Sequence, residues 1–231
     1  MLISVIVPTL NEEKYIEACL KSVKNQDYPR YEIIVSDSMS KDRTREISKK
    51  YARVIIANRG VSAGRNAGAK VAKGEILVFL DADTLLLPNT LTELANAFDN
   101  KHIVGATCPI FPSHYTLRNI VLYLSFNNFM YSTIKLNKPQ VPGICCAYRK
   151  SAFRKVGGFD ENIKTLEDFD LSLRIAKLGK VKFVESTAVI TSHRRFEKWG
   201  SIKTVKEYLH NYSRFLLTGK SFGVNNYRPI R

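Results

Sequence analysis

The sequence predicts an α/β fold with a mostly parallel central sheet flanked by helices. Short apolar runs that do not alternate, such as residues 76–80, are typical of strands buried on both faces. Between these runs the apolar residues recur at helical spacing, as at Ile16, Leu20 and Val23. The first ~85 residues therefore follow the order β-α-β-α-β-α-β, which implies parallel strands joined by right-handed crossovers.

Each element of the first half follows from its apolar pattern and its end signals. Asn11 is a good N-cap for the first helix, and Glu12 and Glu13 fall in its first turn, where the helix dipole favours acids. Gly74 is predicted to close the third helix as a C-cap. We predict strands at residues 2–7, 31–35, 54–57 and 76–80 and helices at 11–25, 40–51 and 62–73.

The second half is predicted to hold helices and strands in a less regular order. Pro88 opens a helix, and residues 115–136 form one helix or a hinged pair that covers the core or faces an acceptor or a membrane. Residues 166–171 open a later helix, which Gly179 closes. We predict further strands at residues 104–109, 143–148 and 182–190 and a short helix at 150–156.

Polar residues follow the carboxyl ends of three predicted strands, which is the edge where open α/β sheets bind ligands. These residues are Pro8, Thr9, Asn11 and Glu12 after the first strand, Asp37 after the second, and Asp81, Ala82 and Asp83 after the fourth. Two aspartates one residue apart offer hard oxygen donors that suit Mg²⁺ or Mn²⁺, and such metals usually hold substrate phosphates. The alternative for an isolated Asp-x-Asp is an exposed acidic turn.

A second acidic cluster begins the predicted helix at residues 166–171. Glu167, Asp168 and Asp170 either satisfy the helix dipole or include a carboxylate that the dipole keeps ionised, as a general base requires. No G-x-G-x-x-G follows the first strand, and no G-x-x-x-x-G-K-[ST] occurs in the chain. These two absences argue against a dinucleotide-binding dehydrogenase and against a P-loop enzyme.

The charge of the chain requires an anionic partner. Lys and Arg outnumber Asp and Glu by 36 to 21, which favours nucleic acid, phosphorylated substrates or an anionic membrane as the partner. Residues 194–231 hold nine Lys and Arg against two Glu, with an amphipathic stripe that includes Ile202, Leu209 and Tyr212. This tail is predicted to be a membrane-surface anchor or an ordinary covering helix with a solvated face.

The cysteines and the chain start indicate a cytoplasmic protein. Cys19, Cys108, Cys145 and Cys146 include no C-x-x-C pair and are interpreted as reduced thiols. The chain starts directly with a strand, so no signal peptide is predicted, and residues 120–136 are too short and too polar for a membrane span. We expect a protein peripheral on the cytoplasmic face of a membrane.

Six segments, taken in order, resemble the motifs of inverting glycosyltransferases of family 2. They are VIVPTLNEE at residues 5–13, EIIVSD at 32–37, GRNAG at 64–68, FLDAD at 79–83, GGFD at 157–160 and EDFDLSLR at 167–174. The resemblance implies the GT-A fold, a Rossmann-like fold that binds nucleotide-diphospho-sugars. It further implies a catalytic domain at residues 1–192, with a donor-binding half at about 1–100 and an acceptor-side half at about 101–192, before the tail at 193–231.

The same resemblance implies which residues bind the donor. The donor pocket would be lined by Pro8, Thr9, Asn11, Glu12, Asp37, Arg65, Asp81, Ala82 and Asp83. Asp37 would accept a hydrogen bond from a base N–H, Asp81 one from a nucleotide hydroxyl or amide, and Arg65 would help with phosphate or base. Asp83 would bind Mn²⁺ or Mg²⁺, which neutralises the diphosphate leaving group. His193 is either an extra metal or diphosphate ligand or a structural histidine.

The resemblance also implies the acceptor side of the reaction. Asp168 would be the general base that deprotonates the acceptor hydroxyl, whose attack opposite the diphosphate inverts the anomeric centre. Glu167 would orient this base or bind the acceptor, and Trp199 would stack on an acceptor sugar. Residues 195–199 are similar to an [Q/R]-x-x-R-W signature, but Lys198 replaces the Arg and loses its bidentate fork. Processive members of the family carry this signature together with membrane spans. Because the signature is altered here and no spans are predicted, the resemblance implies an enzyme that adds a single sugar.

The expected reaction moves a sugar from a UDP- or GDP-sugar to a lipid-linked or glycan hydroxyl, and three alternatives stay open. A nucleotidyltransferase of the same fold is disfavoured because residues 8–12 are not a Gly-rich basic loop. A nucleic-acid-binding protein would explain the charge, but the aromatic residues are not interleaved with the basic ones. The third alternative is a sugar-nucleotide-binding protein without catalytic activity.

Overall fold

The computed structural model describes residues 1–194, 206 and 210–213, and it shows an α/β fold. The strands are β1 (Ile3–Thr9), β2 (Tyr31–Asp37), β3 (Arg53–Ile56), β4 (Ile76–Leu80), β5 (Thr84–Leu86), β6 (Ile103–Thr107), β7 (Ile110–Pro112), β8 (Cys145–Arg149), β9 (Lys180–Phe183) and β10 (Val189–Thr191). The helices are α1 (Ile16–Lys24), α2 (Thr44–Ser48), α3 (Val61–Val71), α4 (Thr90–Ala97), α5 (Leu117–Lys135), α6 (Lys150–Lys155) and α7 (Glu167–Ala176).

The central sheet has seven strands in the order β3-β2-β1-β4-β8-β6-β9. Four neighbouring pairs are parallel, whereas β8 runs antiparallel to both β4 and β6. All five residues of β4 are buried, as expected for a strand whose apolar run does not alternate. The prediction of a mostly parallel sheet flanked by helices is confirmed.

The two faces of the sheet support two hydrophobic layers. Val5 and Val7 of β1 belong to the layer that contains α1, whereas Ile6 and Phe79 belong to the layer that contains residues of α3 and α7. Helix α3 lies close to β1 because Gly68 has no side chain, and a Cβ at this position would come within 2.3 Å of Ile6 Cγ2. This close packing holds α3, which carries Arg65, against the middle of the sheet.

Several predicted helix ends are wrong, among them the end of α7, whose C-cap is Lys177 rather than Gly179. Asn11 is not the N-cap of α1, since the N-cap is Tyr15 and Asn11 has a left-handed backbone with a φ of 57°. Gly74 does not close α3, whose C-cap is Ala72. A Cβ at Gly74 would lie 2.6 Å from the backbone nitrogen of Ser4, so this glycine allows two backbone segments to approach each other.

The predicted strand at residues 182–190 is also wrong, because it is split between two sheets. β9 joins the central sheet, and β10 joins a second sheet in the order β5-β10-β7, in which each strand has three residues. β10 runs antiparallel to β5, and Ser192 N then donates to Asp83 O at 3.1 Å. The second sheet therefore brings residues 191–194 beside the Asp81–Asp83 turn.

The remaining features bear on membrane contact and on the thiols. α5 is one continuous helix of 19 residues, not a hinged pair. No helix in the described part of the chain is long and apolar enough to cross a lipid bilayer. All four cysteines are buried free thiols. Most of the predicted basic tail lies outside the described residues.

Candidate active site

The carboxyl ends of β1, β2 and β4 lie side by side. Thr9 at the end of β1 is paired with Asp37 at the end of β2, and Asp81 directly follows β4. Asp81 N donates to Ile144 O and Thr84 N donates to Asp81 O, both at 3.1 Å, which fixes the turn after β4. These contacts form the polar edge that parallel strands predict.

Asp37 anchors the loops beneath this edge. Its side chain is fully buried, and its carboxylate accepts hydrogen bonds from Thr9 Oγ1 at 3.1 Å and from the backbone and side chain of Ser40. Asn11 joins the same loop, because its backbone donates to Ser40 Oγ and its side chain accepts from Lys41 N, both at 2.9 Å. Asp37 and Asn11 therefore shape this corner of the edge, and their direct contacts with a donor stay predictions.

Arg194 links the loop after β1 to the turn after β4. Its two terminal nitrogens donate to the Glu12 carboxylate at 2.7 and 2.8 Å, and its Nε lies 3.0 Å from Asp83 Oδ2. The guanidinium carbon lies 4.9 Å from the ring centroid of Tyr15. Burial raises the pKa of Asp83 to about 6, and the positive charge of Arg194 opposes that rise. Arg194 is thus the counter-charge for two carboxylates of the edge.

The oxygen donors at Asp83 fit a hard divalent cation that is shared with a substrate. Within the described part of the chain, no three His, Cys, Asp or Glu side chains cluster closely enough to hold an ion by themselves. Mg²⁺ and related ions are commonly held by one or two carboxylates together with substrate phosphates, and Asp83 and the partly exposed Asp81 offer such carboxylates. His193 is 5% exposed, with its ring 5.8 Å from that of Tyr123, and its metal role stays a prediction.

A buried guanidinium joins this edge to the start of α7. Arg65 Nη2 donates to Asp81 Oδ1 at 3.0 Å and to Gly143 O at 3.1 Å, while Nη1 donates to Glu167 Oε1 at 2.9 Å. Its carbon lies 5.1 Å from the ring centroid of Phe159. The side chain is 3% exposed and lies among protein groups, and its predicted contact with a donor phosphate or base stays a prediction.

The predicted general base lies in the first turn of α7. Asp168 Oδ2 accepts from Gly143 N at 2.6 Å, and Oδ1 accepts from Phe169 N at 2.9 Å. Burial raises the pKa of both Asp168 and Glu167, and repulsion from Asp168 raises the pKa of Glu167 further. The charge of Arg65 opposes both shifts. A carboxylate with a raised pKa is better matched to proton abstraction near neutral pH.

The structure sorts most of the predicted residues into three groups, one of which is the corner formed by Thr9, Asn11 and Asp37. One connected network holds Arg65, Asp81, Glu167 and, through Gly143, Asp168. Glu12 and Asp83 both form ion pairs with Arg194. Ala82 is buried between the two aspartates. Trp199 lies outside the described residues.

Sequence reasoning missed three residues that shape the site. They are Tyr15, Gly143 and Arg194. In the sequence Arg194 is one positive charge of a basic tail, and its place directly after His193 is the signal that could have found it. Nothing in the sequence around Gly143 indicates that its backbone contacts both Arg65 and Asp168.

This arrangement supports two chemical tasks. The partly exposed Asp81 and Asp83 edge can bind a cation and the phosphates that accompany it. The half-buried Asp168, whose backbone partners hold it in one orientation, can accept a proton. Arg65 connects the two parts through direct hydrogen bonds.

Comparisons with known proteins give the family and the fold. Residues 4–157 match Glycosyl transferase family 2. An uncharacterised glycosyltransferase of Rickettsia typhi is 29% identical over 198 residues, which cover 79% of this chain and 61% of that protein. The mannosyltransferase PcManGT from Pyrobaculum calidifontis, solved in complex with GDP-Man and Mn²⁺, has a TM-score of 0.72 at 21% identity, covering 95% of this chain and 65% of that one.

A second solved structure has the same architecture. Staphylococcus aureus TarS 1–349, in complex with UDP-GlcNAc, has a TM-score of 0.68 at 24% identity, covering 84% of this chain and 59% of that one. These likenesses show the GT-A fold. The chain spans less than two thirds of the length of each of these three proteins.

Proposed function

Because the chain belongs to glycosyl transferase family 2, we propose that it moves a sugar from a UDP- or GDP-sugar to a hydroxyl of a lipid-linked or glycan acceptor, with inversion. The observation that carries this proposal is the link that Arg65 makes between the two acidic clusters. Asp81, at the edge where α/β folds bind ligands, and Glu167, beside Asp168, both accept hydrogen bonds from Arg65. A cation-binding pair and a candidate base are therefore neighbours, as a transfer between two bound substrates requires.

On the donor side, the loop after β1 and the Asp81–Asp83 turn would hold the nucleotide diphosphate. Asp83, with His193 as a second candidate, would hold Mn²⁺ or Mg²⁺, which supplies charge neutralisation for the leaving diphosphate. Arg194 already faces Asp83 and Glu12, so its guanidinium is available to the same phosphates. The solved complexes of PcManGT with GDP-Man and Mn²⁺ and of TarS with UDP-GlcNAc support a nucleotide-sugar donor and leave both bases open.

On the acceptor side, Asp168 would remove the proton from the attacking hydroxyl. As that oxygen forms its bond to the anomeric carbon, the bond from this carbon to the diphosphate oxygen breaks on the opposite face. The proton ends on Asp168 and the electron pair on the diphosphate, so one displacement inverts the centre. Glu167 would orient the base or bind the acceptor.

For the acceptor's location we propose peripheral contact with the anionic cytoplasmic face of a membrane. The first half of α5 exposes Leu117, Val121 and Leu124, which are one turn apart along one side of the helix. No acid occurs between residues 100 and 159, a stretch with eight Lys and Arg. An apolar helix face within a basic region is suited to an anionic lipid surface. The predicted contribution of residues 195–231 lies mostly outside the described residues.

Two variants test the assigned roles. After a thermal-shift screen of UDP and GDP with Mn²⁺ or Mg²⁺ has identified the donor class, Asp168→Asn should abolish transfer while donor binding is retained. Asp83→Ala should weaken the metal-dependent part of donor binding. Asp170→Asn is the matched control, since Asp170 lies on the same helix but bonds Arg174 instead of the network.

Other outcomes separate this proposal from its alternatives. Full transfer by Asp168→Asn would refute its role as the base. Metal-dependent donor binding without turnover by any acceptor would favour a non-catalytic sugar-nucleotide-binding protein. Salt-dependent retention on RNA or DNA, with no transfer from any nucleotide sugar, would favour a nucleic-acid-binding protein.

A further inference from the structure

Arg65 connects segments that are far apart in the sequence. Its three hydrogen-bond partners, Asp81, Gly143 and Glu167, lie 16, 78 and 102 residues further along the chain. No single helix or strand contains any two of these partners. The relative position of the donor edge and the start of α7 therefore depends on a tertiary contact, and Arg65 makes that contact with both.

The chain of contacts continues to the candidate base. Gly143 accepts from Arg65 through its carbonyl and donates from its N–H to Asp168 Oδ2 at 2.6 Å. Arg65 thus acts on Glu167 directly and on Asp168 through one residue. A displacement of the guanidinium would move both acceptor-side carboxylates relative to Asp81.

The guanidinium has little room to move. A Cβ at Gly143 would lie 2.1 Å from Arg65 Nη2, and the ring of Phe159 covers the guanidinium at 5.1 Å. The planar fork of an arginine directs several donors in fixed directions, which a single ammonium cannot reproduce. Because packing restricts the guanidinium, Arg65 holds the oxygen atoms that it bonds at fixed positions relative to one another.

We propose that Arg65 is a positioning residue that holds the donor-edge carboxylate of Asp81 and the acceptor-side pair Glu167 and Asp168 in one reactive geometry, rather than a direct ligand of the donor phosphates. This inference rests on the proposed function. Small errors in such a geometry are costly, since a displacement of about 1 Å can reduce a rate by about a hundredfold.

The charge of Arg65 adds to its geometric role. Asp81, Glu167 and Asp168 bring three carboxylates to one partly buried region, and the positive charge of Arg65 favours the ionised forms of Glu167 and Asp168. A neutral replacement would leave these carboxylates without their shared counter-charge. Lysine retains the charge but not the fork, so the lysine variant isolates the effect of geometry.

The experiment compares Arg65→Lys with wild type in transfer kinetics and in calorimetric binding of UDP and GDP with Mn²⁺. We expect kcat to fall by about a hundredfold, while the Kd of the bound nucleotide changes by less than about threefold. Arg174→Lys is the control, because Arg174 also pairs with a carboxylate of α7 but lies outside the network. It should retain kcat within about twofold.

Gly143→Ala tests the same inference if Arg65→Lys does not fold. Its added methyl group must displace the guanidinium, so it should also lower kcat while nucleotide binding is retained. A kcat close to wild type in the folded variant would overturn the inference. A loss of kcat matched by an equal loss of nucleotide affinity would also overturn it, because it would identify Arg65 as a donor ligand.

Different experimental results would refute the positioning role of Arg65 and the proposed transfer reaction. If wild type transfers sugar and Asp168→Asn does not, but Arg65→Lys keeps full activity, the positioning role alone is wrong. If wild type transfers sugar from no nucleotide donor to any acceptor, the proposed function is wrong, and Arg65 then has no transfer reaction to position.

Discussion

At the residue scale, two arginines supply positive charge to the site. Arg65 forms ion pairs with Asp81 and Glu167, and Arg194 forms ion pairs with Asp83 and Glu12. Removing one partner of a buried ion pair typically costs about 3–5 kcal/mol, because the other charge remains without compensation. Each carboxylate therefore depends on a cation from a distant part of the chain.

The coupled acids of α7 lead to a pH prediction. The raised pKa of Asp168 means that transfer should fail as the pH falls through a value above the usual one for aspartate, about 3.9. Glu167→Gln removes a neighbouring carboxylate whose negative charge would oppose ionisation of Asp168. We expect the acid limb of the kcat profile to move to lower pH.

The kcat profile of Asp170→Asn serves as the control for Glu167→Gln, and its acid limb should stay in place. Arg65 and Asp81 also face the pair, and both are unchanged in the two variants. An acid limb that stays in place or moves up in Glu167→Gln would contradict the coupling between the two carboxylates.

Arg194 leads to a prediction about metal affinity. Its guanidinium lies 3.0 Å from Asp83 Oδ2, so it should repel a second cation at this carboxylate. Without nucleotide, Arg194→Gln should bind Mn²⁺ about fivefold more tightly than wild type, as measured by electron paramagnetic resonance. The titration is done at pH 8, because the pKa of Asp83 is about 6 and the carboxylate is then ionised.

With UDP or GDP present, the Arg194→Gln variant should lose this advantage, because Arg194 then faces anionic phosphates. Arg43→Gln is the control, since Arg43 pairs with the exposed Glu46 on α2. Unchanged or weaker Mn²⁺ binding by Arg194→Gln without nucleotide would show that Arg194 does not compete for the cation site.

At the element scale, α3 is the scaffold that places Arg65. Small residues let it lie directly on β1 and β2, as at Gly64, where a Cβ would be 3.2 Å from Pro8 Cβ. Phe159 and Gly143 then close over the Arg65 side chain from the second half of the chain. A helix with larger side chains on this face would hold Arg65 further from the sheet edge.

Gly68→Ala tests this close packing. The added Cβ would lie 2.3 Å from Ile6 Cγ2 in a buried layer, so we expect a loss of about 2 kcal/mol in the free energy of unfolding, measured with urea. Lys70→Ala, on the exposed side of the same helix, should change the stability by less than about 0.5 kcal/mol. Equal stability of Gly68→Ala and wild type would mean that α3 can move away from β1 without cost.

At the scale of the whole molecule, the positive charge and the exposed face of α5 lead to a membrane prediction. Leu117, Val121 and Leu124 are 79%, 55% and 46% exposed. Replacing all three by serine should reduce co-sedimentation with phosphatidylserine-containing vesicles at least about tenfold, because each buried apolar side chain contributes about 1.5 kcal/mol or more. High salt should weaken the binding of wild type.

The control for the triple serine variant is Ile56→Ser, which replaces an apolar residue 58% exposed on β3. This variant should bind anionic vesicles as wild type does. Equal binding by the triple variant, or equal binding of wild type to neutral phosphatidylcholine vesicles, would contradict an anionic membrane contact through α5.

The elements that could be predicted are those whose signals are local. The apolar run of β4 leads directly into Asp81, so the position of Asp81 at a sheet edge follows from the apolar pattern. The acids of α7 stand at the start of a helical pattern, so their position in the first turn of a helix follows from its periodicity. The three-residue strands β5, β7 and β10 could not be predicted, because three residues do not establish a period. Their pairing depends on neighbours from distant segments.

The α/β class, the family motifs and the residue types at the sheet edge can be predicted from the sequence, because these depend on short patterns along the chain. Which carboxylate pairs with which arginine depends on the tertiary structure. Glu12 and Arg194 are 182 residues apart, and Arg65 and Glu167 are 102 residues apart. Such contacts form because packing of the two sheets and of α3 and α7 brings these charges into low-dielectric surroundings, where each must be paired.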